Sequence, residues 1–254
     1  MTRADRPRSS PPHEYRNVDV DAQLRSPVDA LIVGSGFSGI CMGVRLRQAG
    51  IESFLIIEKA DDLGGTWRDN RYPGCACDIP SHLYSLSFAP RSDWGRMYPT
   101  QPELWEYLRD IVDRYGLRPK LCFNVAMNSA EWDEANAQWR VKTNTGATIR
   151  ARVLISGIGA LHVPAQPRLP GLETFTGVAF HSATWRSDCD LAGKRVAVVG
   201  TGASAIQFVP QIAPKASTLH VFQRTPPWVV PKLDRPIGPG ERWLFRYLPG
   251  YRRP

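Results

Sequence analysis

"VDALIVGSGFSGICMGVRLRQAGIESFLIIEKA", residues 28–60, reads as a strand, a tight turn, a helix and a second strand. The apolar run 30–33 is short and β-branched enough for a buried parallel strand. Gly34, Gly36 and Gly39 form G-x-G-x-x-G at the strand-to-helix junction. In such a motif the first glycine permits the turn and the second lets backbone approach a pyrophosphate. The third lets helix pack closely on strand. Glu58 closes the second strand about 20 residues further on, where an acid accepts ribose hydroxyls. The stretch predicts a dinucleotide site; a glycine-rich turn in a plain α/β domain is the alternative.

The pattern returns in "GKRVAVVGTGASAIQFVPQIAPKASTLHVFQRT", residues 193–225, where Gly200, Gly202 and Ala205 make G-x-G-x-x-A. An acid is missing at the end of the following strand, and Gln223, Arg224 and Thr225 stand there instead. An arginine suits a ribose 2′-phosphate, so the second nucleotide reads as NADPH rather than NADH. A solvated surface charge is the bland account of Arg224. The first site prefers a ribose without that phosphate. FAD and NADPH in one chain describe a flavoenzyme that takes hydride from NADPH.

Between the loops, "DDLGGTWRDNRYPGCACDIPSHLYSLSF" (61–88) places Trp67 in a polar, proline-containing stretch. Its ring needs either a flat cofactor or a satellite core cluster as partner. Asp78, standing alone, reads as a turn cap. Residues 101–116 form an amphipathic helix with Leu104, Leu108, Ile111 and Tyr115 on one stripe. Segments 121–132, 138–145 and 147–156 alternate like an antiparallel meander, with "TNTG" (143–146) as a turn. "RVLISGIGA" is expected to return as a buried strand ending at Gly157 and Gly159.

The 254 residues carry a formal charge of +8, but residues 224–254 hold seven Lys or Arg against Asp234 and Glu241. Most of the excess therefore lies in a tail, which argues against nucleic acid as a partner. No run of eighteen apolar residues suggests a transmembrane helix. The first residues, rich in Pro, Ser and Arg, read as a mobile leader rather than a signal peptide. Five cysteines without a C-x-x-C pair read as reduced thiols of a cytoplasmic protein, and no metal site is expected.

"FTGVAFHSATWR", residues 175–186, places Phe175, Gly177, His181 and Trp185 at fixed spacing between the two glycine loops. With these residues the sequence resembles the class B flavoprotein monooxygenases, most closely the Baeyer–Villiger monooxygenases. Their fingerprint is F-x-G-x-x-x-H-x-x-x-W followed by Pro or Asp; Arg186 departs from it at the last place. "GGTW", "RYPGCACD" and "FQRTP" follow the same family in order, and the resemblance runs from about residue 28 to about residue 235. Trp185 favours this group over the related N-hydroxylating and heteroatom-oxidising enzymes, which stay as an alternative. A flavin disulfide reductase is disfavoured, because Cys75 and Cys77 are separated by one residue.

The resemblance implies an α/β fold of two Rossmann-like dinucleotide-binding units, the second incomplete, with a small antiparallel meander inserted in the first. The expected layout is a leader (1–27), an FAD unit (28–165) and a linker carrying the fingerprint (166–190). The start of an NADPH unit (191–235) and a basic, aromatic tail (236–254) follow. It also implies that Gly34, Gly36, Gly39 and Glu58 hold FAD, with Thr66, Trp67, Asp78 and Tyr84 on the flavin side and Met127 near the adenine. Gly200, Thr201, Gly202, Ser204, Arg224 and Thr225 would hold NADPH. His181 would act in domain movement rather than as a base.

The implied activity inserts one oxygen atom from O₂ beside a ketone carbonyl, through a flavin peroxide that needs a nearby cation. In the family that cation is an arginine in the second half of the protein, positioned by an aspartate that Asp78 matches. The chain is therefore expected to be an incomplete monooxygenase with little activity, or a nucleotide-binding remnant. Trp243, Leu244, Phe245, Tyr247 and Leu248 would then lie uncovered. Displaced core is the simpler account of this tail than a membrane surface.

Overall fold

The computed structural model describes Leu24, residues 26–167 and residues 169–252. β1 (Val28–Val33) leads through Gly34 into α1 (Phe37–Gln48), and β2 (Phe54–Ile57) returns parallel to β1. Ala30 stands opposite Phe54 and Val33 opposite Ile57. Side chains alternate across a strand, and here both faces are covered. Ile32 and Ile56 join a cluster containing Ile40 and Val44 of α1, whereas Leu31, Leu55 and Ile57 pack with Val141 and Ile149 on the other face.

α2 (Thr66–Asp69) is a single turn after the second glycine pair, and α3 (Gln101–Arg114) packs beside it. α3 starts on a capping box: Glu103 accepts from the Thr100 amide at 3.0 Å and from its hydroxyl at 2.9 Å. It buries Leu104, Leu108 and Ile111, and Tyr115 lies half-buried at its C-cap. β3 (Leu121–Cys122), β4 (Met127–Asp133), β5 (Gln138–Thr143) and β6 (Thr148–Ser156) complete a six-stranded sheet of order β3-β2-β1-β6-β5-β4. β6 has two partners: it is antiparallel to β5 in its first half and parallel to β1 in its second. That shared strand attaches the meander to the Rossmann-like sheet.

β7 (Arg195–Val199), α4 (Ala203–Ile212) and β8 (Thr218–Phe222) repeat the first unit as a two-stranded parallel sheet. Val198, Ala205, Phe208 and Ile212 belong to the same hydrophobic cluster as α1 and α3. α5 (Pro239–Tyr247) follows. Among the described residues, no helix is long and apolar enough to cross a membrane.

Four expectations need correction. The segment 121–132 is two strands, because Asn124 turns the chain at φ 60°. Leu121–Cys122 pairs parallel with β2, while Met127–Asp133 pairs antiparallel with β5. The far half of β6 is not buried: Val153 is 52 % exposed, and Arg152 and Ser156 are exposed too. Within the expected leader, Leu24 is 1 % exposed and packs in the Val141 cluster; residues 1–23 and 25 lie outside the described residues. The tail is partly covered. Phe245 is buried and stacks on His82 with centroids 5.4 Å apart, and Leu244 is half-buried. Met97 donates to the Arg235 carbonyl at 2.8 Å and Ile237 to that of Gly95 at 2.9 Å, so the tail runs beside residues 95–97 as an added strand-like segment. Trp243, Tyr247 and Leu248 are exposed as expected.

Candidate functional site: two glycine loops

A cavity of about 390 Å³ opens at the C-terminal ends of β1 and β2, the place where sheets of this kind bind ligands. Gly34, Gly36, Glu58, Thr66, Trp67, Tyr84 and Met127 line it, as do Ser35, Arg68, Ile158 and His162, which sequence reasoning did not single out.

The three motif glycines are there for different reasons. Gly34 turns the chain at φ 101°, and a Cβ on it would lie 2.6 Å from the Gly157 carbonyl oxygen. A Cβ on Gly39 would lie 1.8 Å from the Gly34 oxygen, so α1 can cross β1 this closely only without one. Gly36 is different. Its φ is −77°, and a Cβ there would meet nothing nearer than the Gly65 Cα at 3.9 Å. The fold does not need a glycine at 36, but a backbone-hugging ligand does. Gly36 is also the N-cap of α1, with no side-chain cap and no acidic residue in the first turn. The opening N–H groups lack carbonyl partners within the helix and suit an anion. The loop therefore fits a pyrophosphate.

Glu58 is 5 % exposed. One of its oxygens, Oε2, accepts from the Ser35 amide at 3.0 Å and the Ser35 hydroxyl at 2.7 Å. The other, Oε1, accepts from the Ala60 amide at 3.1 Å and lies 3.2 Å from Arg68 Nη1. Burial alone would raise this carboxyl, but the Ser35 bonds, the Arg68 charge and the Ala60 bond together hold it below its ordinary value. It stays an anion facing the cavity. Burial works against the Arg68 cation too, but Asp69 and Glu58 outweigh it and raise its pKa.

Trp67 takes its partners from the main core and leaves one side to the cavity. It belongs to the core cluster and also lines the cavity, with Nε1 donating to the Tyr84 hydroxyl at 3.1 Å. Burial pushes the Tyr84 phenol up, so it stays neutral. Asp78 is exposed and is not among the cavity-lining residues, so the structure does not bring it together with the others.

The second loop repeats the distinction. Gly200 turns at φ 103° and donates to the Phe222 carbonyl at 2.9 Å. Gly202, the N-cap of α4 at φ −68°, has open space where a Cβ would stand. Thr201 Oγ1 accepts from Gln223 Nε2 at 3.1 Å, tying the glycine loop to the end of β8. Arg224 and Thr225 lie exposed immediately beyond that strand. Burial pushes the Tyr72 phenol up to about 12, and Ser204 at the start of α4 acts in the opposite sense.

The linker fingerprint makes local contacts and one to α4. A Cβ on Gly177 would lie 2.5 Å from the Phe175 ring, which folds over it. His181 Nδ1 accepts from the Ala183 amide at 3.1 Å and caps the 3₁₀ turn Ser182–Thr184. Trp185 packs on Phe208 of α4 with centroids 5.2 Å apart. Arg186 pairs with Asp188 at the surface.

The family described as pyridine nucleotide-disulphide oxidoreductase matches residues 31–237, from β1 through both glycine loops. The chain belongs to this family. All five cysteines, which lie among the described residues, are free thiols, and burial pushes those of Cys75 and Cys77 up.

The chain is 51 % identical over 227 residues to a Baeyer–Villiger monooxygenase of Streptomyces coelicolor, covering 89 % of this chain and 44 % of the relative. Cyclohexanone monooxygenase from Rhodococcus, in a crystal structure bound to NADP⁺, matches with TM-score 0.81 and 39 % identity over 89 % of this chain and 44 % of that one. OTEMO, in a crystal structure with FAD and NADP, matches with TM-score 0.82 and 35 % identity over 87 % of this chain and 44 % of that one. The chain spans less than half the length of these proteins.

Proposed function

We propose that this chain forms the FAD- and NADPH-binding part of a flavin-dependent monooxygenase of Baeyer–Villiger type, which oxygenates a ketone with O₂. The observation that carries the reading is Gly36. It is bare without structural need, stands at the uncapped start of α1, and lines the same cavity as the buried Glu58 anion. Gly202 repeats that bareness at the second loop, which ends on Arg224 rather than an acid. The FAD and NADP held by OTEMO and the activities named for the relatives support the same assignment.

In this reading the α1 amides hold the FAD pyrophosphate and Glu58 accepts ribose hydroxyls. Trp67, Tyr84 and Thr66 wall the flavin side, and Met127 lies toward the adenine. A bound flavin supplies hydride acceptance and oxygen activation. Gly200, Thr201, Gly202 and Ser204 form the NADPH loop, and Arg224 with Thr225 takes the 2′-phosphate. His181 holds the linker turn, and Asp78, which lies outside the first cavity, takes the cation-positioning role through its match to the family's aspartate alone. The units are those of residues 28–165 and 191–235, joined by the linker.

The test is anaerobic bleaching of the flavin absorbance after NADPH is added to FAD-loaded protein. The full-length protein is then tested for insertion of one ¹⁸O atom from ¹⁸O₂ into a cyclic ketone. FAD retention with NADPH-dependent bleaching is expected. A chain that binds neither nucleotide would contradict the assignment, and oxygen uptake without an oxygenated product would contradict the monooxygenase reading.

A further inference from the structure

The two glycine loops are joined by a hydrogen-bonded connection that the motifs do not announce. Gln207, on the second turn of α4, donates from Nε2 to the Ala76 carbonyl at 2.9 Å and accepts from the Ala76 amide at Oε1, at 3.2 Å. The carboxamide thus pairs with both the N–H and the C=O of one residue, as a neighbouring strand would, and only this orientation of the amide satisfies both bonds. The Tyr72 phenol adds a third bond to Oε1 at 3.2 Å. Gly74 lets α4 come this close, because a Cβ there would lie 2.9 Å from the Gln207 carbonyl oxygen.

From Ala76 the connection runs toward the first cavity. Ala76 bridges to Thr100, and the adjacent Cys75 carbonyl accepts from the Gln101 amide at 2.9 Å. The Gln101 side chain, 7 % exposed, donates to the Trp67 carbonyl. Trp67 forms the cavity wall with Tyr84. A helix whose N-terminus belongs to one loop is therefore pinned, through Ala76 and Gln101, to the aromatic wall of the other.

We infer that Gln207 is a positioning residue that couples the two nucleotide sites, so that a nucleotide at α4 changes the Trp67 wall and with it flavin binding. The inference rests on the reading of the two loops as FAD and NADPH sites. Gln207 is not among the residues lining the first cavity, and its effect there passes through Ala76. Energetic coupling between sites of this kind is reciprocal and typically about fivefold or more in affinity.

The experiment measures the FAD dissociation constant by flavin fluorescence, with and without saturating NADP⁺. Wild type is compared with Gln207→Met and Tyr72→Phe. The wild-type ratio is expected to differ from one by about fivefold or more. Gln207→Met should bring it toward one, while Tyr72→Phe, which keeps the Ala76 pairing, should retain it. FAD binding with a ratio of one in wild type, or an unchanged ratio in Gln207→Met, overturns the inference. A loss in Tyr72→Phe equal to that in Gln207→Met also overturns it.

A second measurement does not depend on the flavin: amide hydrogen exchange of the cofactor-free chain. Gln207→Met should speed exchange at Ala76 and in residues 66–70. Faster exchange at Ala76 alone overturns the connection to Trp67. A chain that binds no FAD yet shows the linked exchange would fail the functional reading while the connection stands.

Discussion

Ser35 gives both its backbone N–H and its hydroxyl to the same oxygen of Glu58, at 3.0 and 2.7 Å. The serine between the first two motif glycines thereby locks the acid that ends β2, and Arg68 neutralises the other carboxylate oxygen. The pair is buried on both sides, with side chains each 6 % exposed. Removing one charge of a buried pair leaves the other uncompensated and costs about 3–5 kcal/mol. Glu58→Gln should fall at the lower end, about 3 kcal/mol, because Arg68 keeps Asp69 at 2.8 Å. Denaturant unfolding at neutral pH measures it.

The same carboxylate sets an acid limit. Its folded pKa lies below its ordinary value, so its contribution is complete above the unfolded pKa, about 4.3, and is lost as pH falls through the folded one. Thermal midpoints should therefore fall more steeply below about pH 4.3 in wild type than in Glu58→Gln. Parallel acid profiles would mean that Glu58 carries no such linkage.

Arg224 is expected to distinguish the two pyridine nucleotides. A lost charge-assisted contact to the 2′-phosphate is worth about 1.5–3 kcal/mol, roughly tenfold to a hundredfold in affinity. Arg224→Ala should weaken NADPH by that factor and leave NADH nearly unchanged, by equilibrium titration. Equal losses would make the residue a surface charge.

The docking of α5 should depend on Phe245 and on pH. Phe245→Ala removes a buried ring stacked on His82 and should cost about 3 kcal/mol, with faster proteolysis of residues 232–252. Burial lowers the His82 pKa, and Glu241, itself paired with Arg235, only partly offsets this. A base with a lowered folded pKa stabilises least when protonated. The docking is complete above about pH 6.5 and should weaken as pH falls below it. Proteolysis that does not change between pH 7.5 and 5.5 would contradict this.

β1, α1 and β2 were legible because their information is local: a short apolar strand, glycines at a fixed spacing and an acid at the next strand end. The α3 stripe and the meander hairpins were legible for the same reason. The break at Asn124 was not, because Leu121–Cys122 takes its strand conformation from pairing with β2, far away in sequence. The cover over Phe245 comes from His82, and α5 alone shows only an apolar face. At the site, the motif glycines, Glu58 and Trp67 were readable. Ser35, Arg68 and Gln207 were not, since each matters through a partner that only the fold brings near. Arg68 stood directly after "GGTW", next to the acid-ended strand, and that neighbourhood was the available signal.

The most direct test of the first site is FAD titration of wild type and Gly36→Asp, followed by flavin absorbance, with the thermal midpoint measured alongside. Asp is a good N-cap and Gly36 has room for a Cβ, so the variant should fold as stably as wild type. Its carboxylate would occupy the place of the pyrophosphate and repel it. The account predicts a perturbed flavin spectrum in wild type and none in Gly36→Asp, at similar thermal midpoints. Equal FAD binding by the two proteins would contradict it.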